Sequence, residues 1–116
     1  MSLAEIRFIQ KKLKEKYGEI GVVAGKYLEA GFSVNVRGIK TPKGIIDIVA
    51  IRGGEKLAID VYLKPGKLPV EAIENIHEKA KHIGAKPVLA LWGRGVKVAE
   101  EVLKKAQELG VKIRRF

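Results

Sequence analysis

The stretch "GIIDIVAIRGGEKLAIDVYLK", residues 44–64, decides the fold. Two apolar, β-branched runs flank the Gly53-Gly54 dipeptide, the pattern of a hairpin closed by a two-residue turn. Each run carries one aspartate among Ile, Val, Leu and Ala: Asp47 in the first, Asp60 in the second. The Gly-Gly connection sets Arg52 opposite Glu55, and continuing that register brings Asp47 opposite Asp60. Side chains alternate along strands, so Asp47, Asp60, Tyr62 and Lys64 share one face. Ile46, Ile48, Ala50, Leu57, Ile59, Val61 and Leu63 share the other, which reads as core.

Carboxylates facing each other across a hairpin have Cβ atoms about 5 Å apart. At an effective dielectric near 20 they repel by about 3 kcal/mol. One reading is a divalent cation between them, with hard Mg²⁺ suiting oxygen ligands and retained waters. The other is that each aspartate is separately satisfied by Lys43, Lys56, Lys64 or backbone donors. In the first case the pair should lie within about 5 Å on an exposed edge of the sheet.

Outward from the hairpin, Ser2 and Glu5 form a capping-box pair ahead of a helix whose apolar face is Leu3, Ile6, Ile9 and Leu13. A second helix over 19–30 buries Ile20, Val23, Ala24, Tyr27 and Leu28 and stops at Gly31. "FSVNVRG" alternates as a half-exposed strand. After the hairpin, "KPGKLP" is a break, and Pro69 opens a helix with Val70, Ile73, Ile76, Ala80 and Ile83 inward. "PVLALW" is a buried strand, "GRG" a turn, residues 98–109 an amphipathic helix ending at Gly110, and "VKIRRF" a last strand. The order α-α-β-β-β-α-β-α-β predicts one α/β domain over residues 1–116, a mixed central β-sheet flanked by helices on both faces.

The 116 residues and 47% hydrophobic content fit one domain with a core of its own. With no cysteine, disulfides, thiolate metal sites and Cys nucleophiles are excluded. No apolar run approaches a membrane span and no signal-peptide pattern opens the sequence, so no membrane partner is expected and the cytoplasm is the expected compartment. Abundant Lys and Glu beside scarce Cys, Met, Asn and Gln is a thermophile-like composition. The net charge is +10, from 23 Lys and Arg against 13 Asp and Glu. Residues 1–43 carry nine positive and four negative side chains and the remainder fourteen and nine, so the excess is spread through the domain. That points to a polyanionic partner, nucleic acid first.

The hairpin residues also carry a resemblance. "GIIDIVA…LAIDVYLK" resembles the core of the PD-(D/E)xK, or restriction-endonuclease-like, nucleases, in which a strand Asp precedes an acidic-x-Lys triplet on the next strand. "GEIGVVAGKYLEAGFSVNVRG" is similar to the Glu-bearing helix of archaeal Holliday-junction resolvases. "AKPVLALWGRGVKVAEEVLKKAQELGVKI" is similar to the closing part of Mrr-type restriction domains. Together these span about residues 18–115. The resemblance implies a restriction-endonuclease-like core and Mg²⁺- or Mn²⁺-dependent hydrolysis of DNA, with no small-molecule cofactor. Carried over, Glu19 matches the helix acid, Asp47 the first strand acid and Asp60 the second, all three as metal ligands. The sequence departs from the pattern two residues after Asp60, where Tyr62 replaces the lysine, and a neutral phenol cannot act as an ammonium. Lys64, about 7 Å further along the same face, is the candidate replacement. The alternative is a catalytically inactive DNA-binding or structural homologue of the same fold. Similar resolvases act as dimers, which implies a homodimer here.

Arg37, Lys40, Lys43, Lys67 and Arg94 fall in or beside turns near the aspartates and are candidate DNA contacts. Glu71, Glu74 and Glu78 line one side of the middle helix, which should face away from DNA. His77 and Trp92 read as packing residues. No GxGxxG or Walker motif is present, so a nucleotide-binding module is disfavoured.

Overall fold

The computed structural model describes all residues, Met1–Phe116. Helix α1 (Leu3–Tyr17) begins at the Ser2–Glu5 capping box and ends where Gly18 adopts φ 60°. Helix α2 (Glu19–Glu29) doubles back on it. The two cross so closely that a Cβ at Gly21 would lie 1.9 Å from the Leu13 carbonyl oxygen, so glycine is obligatory there. None of α1 is buried, whereas α2 buries Val23, Ala24 and Tyr27.

Strands β1 (Ser33–Thr41), β2 (Gly44–Arg52) and β3 (Glu55–Tyr62) form an antiparallel meander. Helix α3 (Val70–His82) then crosses to β5 (Lys86–Leu91), and α4 (Glu100–Leu109) to β7 (Lys112–Arg115), both strands joining in parallel. The sheet order β1-β2-β3-β5-β7 is the expected mixed sheet with helices on both faces. The short strands β4 (Gly66–Lys67) and β6 (Val96–Lys97) pair in parallel within the segments read as a break and a turn. Their bonds, such as Leu68 N–H to the Lys97 carbonyl at 2.8 Å, join residues far apart in sequence, which a local pattern does not encode.

Each face of the sheet has its own core. Ile48, Ala50, Leu57, Ile59 and Val61 pack against α2, and Val49, Ala58, Leu89 and Leu91 pack against α3 and α4. Strict alternation fails at Asp47: Ile46 joins the α3 side although Ile48 faces α2. Leu63, expected in the core, lies beyond the end of β3 and is 44% exposed.

Candidate active site at the fork of the sheet

The expected register holds along the hairpin, with Arg52 opposite Glu55 and each rung in step up to Ile48 opposite Ile59. The ladder stops one rung short of the aspartates. Beyond it β2 stays paired only with β1, and β3 only with β5, through Asp60–Leu89 to Tyr62–Leu91. The two central strands therefore part, and Asp47 and Asp60 sit where the fork opens. They lie in the middle of the sheet, not on the exposed edge that the sequence suggested, with side chains 14% and 15% exposed.

Parting strands leave main-chain groups without partners, and buried unpaired groups are costly. Here the carboxylates take the place of the missing carbonyls. Val61 N–H donates to Asp47 Oδ2 at 2.9 Å, and Asp47 N–H donates to Asp60 Oδ1 at 3.1 Å. Each aspartate thus ties its own strand to the other. This answers part of the question posed by two charged residues in apolar strands.

Two cations complete the cluster. Lys79, on α3, is only 6% exposed, and its Nζ donates at 2.8 Å both to Asp60 Oδ2 and to the Ile45 carbonyl. It thereby bridges the two arms of the fork. Arg37 Nη1 donates to Asp47 Oδ1 at 2.7 Å. Two carboxylates and two cations sit together, and every carboxylate oxygen has a partner. Burial pushes the Asp47 carboxyl above its ordinary value. The Asp60 charge adds to that rise, while the Val61 N–H, Arg37 and Lys79 oppose it.

Arg37 reaches Asp47 through a bulge. The β1–β2 register shifts between Val36 and Ile39, so Arg37 and Gly38 stand against the single residue Asp47. Arg37 has φ 56°, the only non-glycine residue with positive φ, a conformation costing about 1–3 kcal/mol. Asn35 Oδ1 accepts the Gly38 N–H at 3.0 Å, and a Cβ on Gly38 would lie 2.6 Å from that oxygen. Bulges re-aim side chains, and this one turns a guanidinium onto the fork.

Of the residues singled out from the sequence, the structure brings together Asp47, Asp60 and Arg37. Glu19 does not join them: it is exposed at the N-terminus of α2, and no group of three acidic or imidazole side chains is placed to hold an ion. Lys64 is exposed past the end of β3 and makes no ion pair with either aspartate. Lys40, Lys43, Lys67 and Arg94 are all exposed, with Lys43 beside Glu71, Glu74 and Glu78. Tyr62 is half-buried against the core on the α3 side. The residue missed by sequence reasoning is Lys79. Its signal was present: it lies three residues after Ile76 and four before Ile83, on the inward stripe of α3, where a lysine is as anomalous as an aspartate in a core strand.

No protein-family model matches the sequence, and a comparison with curated proteins finds no match. Solved structures do match. The chain superimposes on Pyrococcus furiosus SfsA in complex with Ca²⁺ with TM-score 0.60 at 16% identity, over 90% of this chain and 56% of that one. A repair endonuclease from Pyrococcus abyssi gives TM-score 0.62 at 14% identity, over 95% and 46%. EndoMS in its complex with double-stranded DNA gives 0.58 at 13% identity, over 95% and 44%. The fold is restriction-endonuclease-like. The chain spans about half the length of each of these proteins, so the match concerns this fold alone. Within a restriction-endonuclease-like fold, the hairpin residues that carried the resemblance are the ones at the fork.

The donor set at the fork suits a hard divalent ion. Asp47 and Asp60 offer oxygens only and both lie at the fork, and an ion held there would displace Arg37 from Asp47 Oδ1. Mg²⁺ binds through one or two carboxylates, with waters and substrate phosphate filling the remaining positions, so a third acidic residue is not required.

Proposed function

We propose that this chain is a metal-dependent endonuclease acting on DNA, with Asp47 and Asp60 as the metal ligands and Lys79 supplying the ammonium that Tyr62 cannot. The observation that carries the reading is the buried Lys79 Nζ, 2.8 Å from Asp60 Oδ2 at the fork where both strand carboxylates lie. Three likenesses support it: a repair endonuclease, a protein bound to double-stranded DNA and a protein bound to Ca²⁺ share the fold. Mg²⁺ or Mn²⁺ bound there would polarise a phosphate and acidify a water. Lys79, fixed by two hydrogen bonds, stabilises negative charge that develops on the phosphate. Arg37 sits on Asp47 with its side chain 45% exposed, so it clamps a phosphate once Asp47 is neutralised by another cation. Lys40, Lys43, Lys67 and Arg94 add charge contacts to the backbone. Branched or repair intermediates are the substrates to try first.

The test is cleavage of linear, flapped and four-way DNA with Mg²⁺ or Mn²⁺, and its loss on adding EDTA. Asp47→Ala, Asp60→Ala and Lys79→Ala should abolish cleavage while DNA binding persists, and Lys64→Ala should leave cleavage intact. Cleavage by Asp60→Ala at the wild-type rate would refute the site.

A second reading, a DNA-binding homologue without activity, has one observation in its favour: Arg37, Lys79 and two backbone N–H groups already occupy all four carboxylate oxygens. Wild-type protein that binds every substrate and cuts none would establish it. Tyr62→Lys separates the two, because it adds little to a working enzyme and restores cutting to a lapsed one.

A further inference from the structure

The two faces of the sheet are covered unequally. On one, α3 packs along β5 and α4 along β7; on the other, α2 lies mainly over β1 and β2, and Tyr27, Phe32 and Phe116 pack with Leu57 and Val88 in that side's core. Beside α2 lies a groove of about 500 Å³, open to solvent, with the buried Leu57 and Val88 beneath it. Lys26, Arg52, Lys86, Lys112 and Arg114 line it, against the single carboxylate of Glu55. Glu55 is taken by Arg52 at 3.4 Å, and the other four cations have no acidic partner.

Both arginines are held in place by aromatic rings. Arg52 lies 4.3 Å above the Phe32 ring and donates to the Ala30 carbonyl at 2.8 Å. Arg114 sits 5.7 Å from the Tyr27 ring and 5.6 Å from that of Phe116. A guanidinium fixed on a ring loses little entropy when it meets an anion, and its outer plane remains free for stacking. Lys112 and Arg114 project from the same face of β7, about 7 Å apart, which sets two cations in line along the groove.

We propose that this groove binds single-stranded nucleic acid. Phosphates lie along Lys86, Lys112 and Arg114, and a base stacks on a ring-backed guanidinium. A duplex keeps its bases stacked inside and presents only its phosphates, whereas an unpaired strand also offers bases to the ring-backed guanidiniums of Arg52 and Arg114. The site lies on the α2 side of the sheet, away from Lys79 on α3, and does not depend on the nuclease reading.

The experiment is fluorescence anisotropy of a labelled twelve-nucleotide dT oligomer, in EDTA and over a range of salt. Lys86→Glu/Lys112→Glu should weaken binding at least tenfold and lower the log–log salt slope by about 1.4, since two single-strand phosphate contacts are lost. The charge-matched pair Lys81→Glu/Lys104→Glu, on exposed positions of α3 and α4, should cost much less. Arg114→Lys keeps the charge but loses the plane, so it should weaken dT binding more than binding of an abasic oligomer. Circular dichroism checks that each variant is folded. Equal losses of dT binding in the two double variants, a loss of duplex binding by Lys86→Glu/Lys112→Glu as large as its loss of dT binding, or tighter wild-type binding to a poly-glutamate peptide than to dT, would overturn the proposal. All of this is read without metal, so it stands or falls apart from cleavage.

Discussion

The two ends of the β2–β3 hairpin solve the same problem in different ways. At the turn end, Gly53 and Gly54 close the strands, main-chain bonds run rung by rung, and Leu57 and Ala50 are simply buried. At the other end the rungs stop, and side chains of Asp47, Asp60 and Lys79 hold the strands instead. Stability at the turn end comes mainly from apolar area, the exposed Arg52–Glu55 pair adding little. At the fork it depends on four charges remaining matched. A sheet that must keep carboxylates in its interior opens locally, and it uses those carboxylates to close the gap.

The largest expected effect tests that contrast. Lys79→Ala leaves the buried Asp60 oxygen and the Ile45 carbonyl without a partner, and should cost about 3–5 kcal/mol in urea unfolding. The same change in an Asp60→Asn background should cost clearly less, because no charge is then stranded. Leu57→Ala at the turn end should cost about 2–5 kcal/mol, equally in both backgrounds. A cost for Lys79→Ala that ignores Asp60 would break the comparison.

The bulge comes next. Arg37→Gly and Arg37→Ala both lose the ion pair with Asp47, but only glycine relieves the positive φ. The glycine variant should be the more stable of the two by about 1 kcal/mol. Equal thermal midpoints would mean that the strain is not there.

Acidity gives a smaller signal with a definite sign. The folded-state pKa of Asp47 is raised. Between the ordinary carboxylate value and that raised value, the folded state holds more protons than the unfolded one. Its contribution therefore falls as pH rises through that window and is regained as pH drops. Unfolding free energies from acid to neutral pH should show wild type losing ground to Asp47→Asn as pH increases. The opposite slope would mean that Arg37 and the backbone donors outweigh burial. Smallest of all, Lys64→Ala should lie within about 0.5 kcal/mol of wild type, as an exposed side chain with no partner.

Much of this was legible in the sequence because it is local. The Gly-Gly turn fixed the register, apolar alternation marked the strands, and the Ser2–Glu5 pair marked the first helix. The facing aspartates could be found by counting outward from Gly53-Gly54. What counting could not show is that pairing ends one rung before them, since that depends on where β1 bulges and how β5 draws β3 away. The lysine at the fork is illegible for a related reason. Strand period points from Asp60 to Lys64, while Lys79 arrives from a helix that neither sequence proximity nor strand period links to Asp60. The three lone charges at core positions, Asp47, Asp60 and Lys79, find one another in the fold. Searching the α3 stripe for a charge out of place would have found the third.

The central claim is that the fork binds a divalent ion between its two aspartates. Crystals grown with millimolar Mn²⁺ test it through an anomalous difference map. A peak between the Asp47 and Asp60 carboxylates, with Arg37 drawn off Asp47, is the expected result. No peak there, with Arg37 and Lys79 still bound to both carboxylates at that concentration, would contradict it.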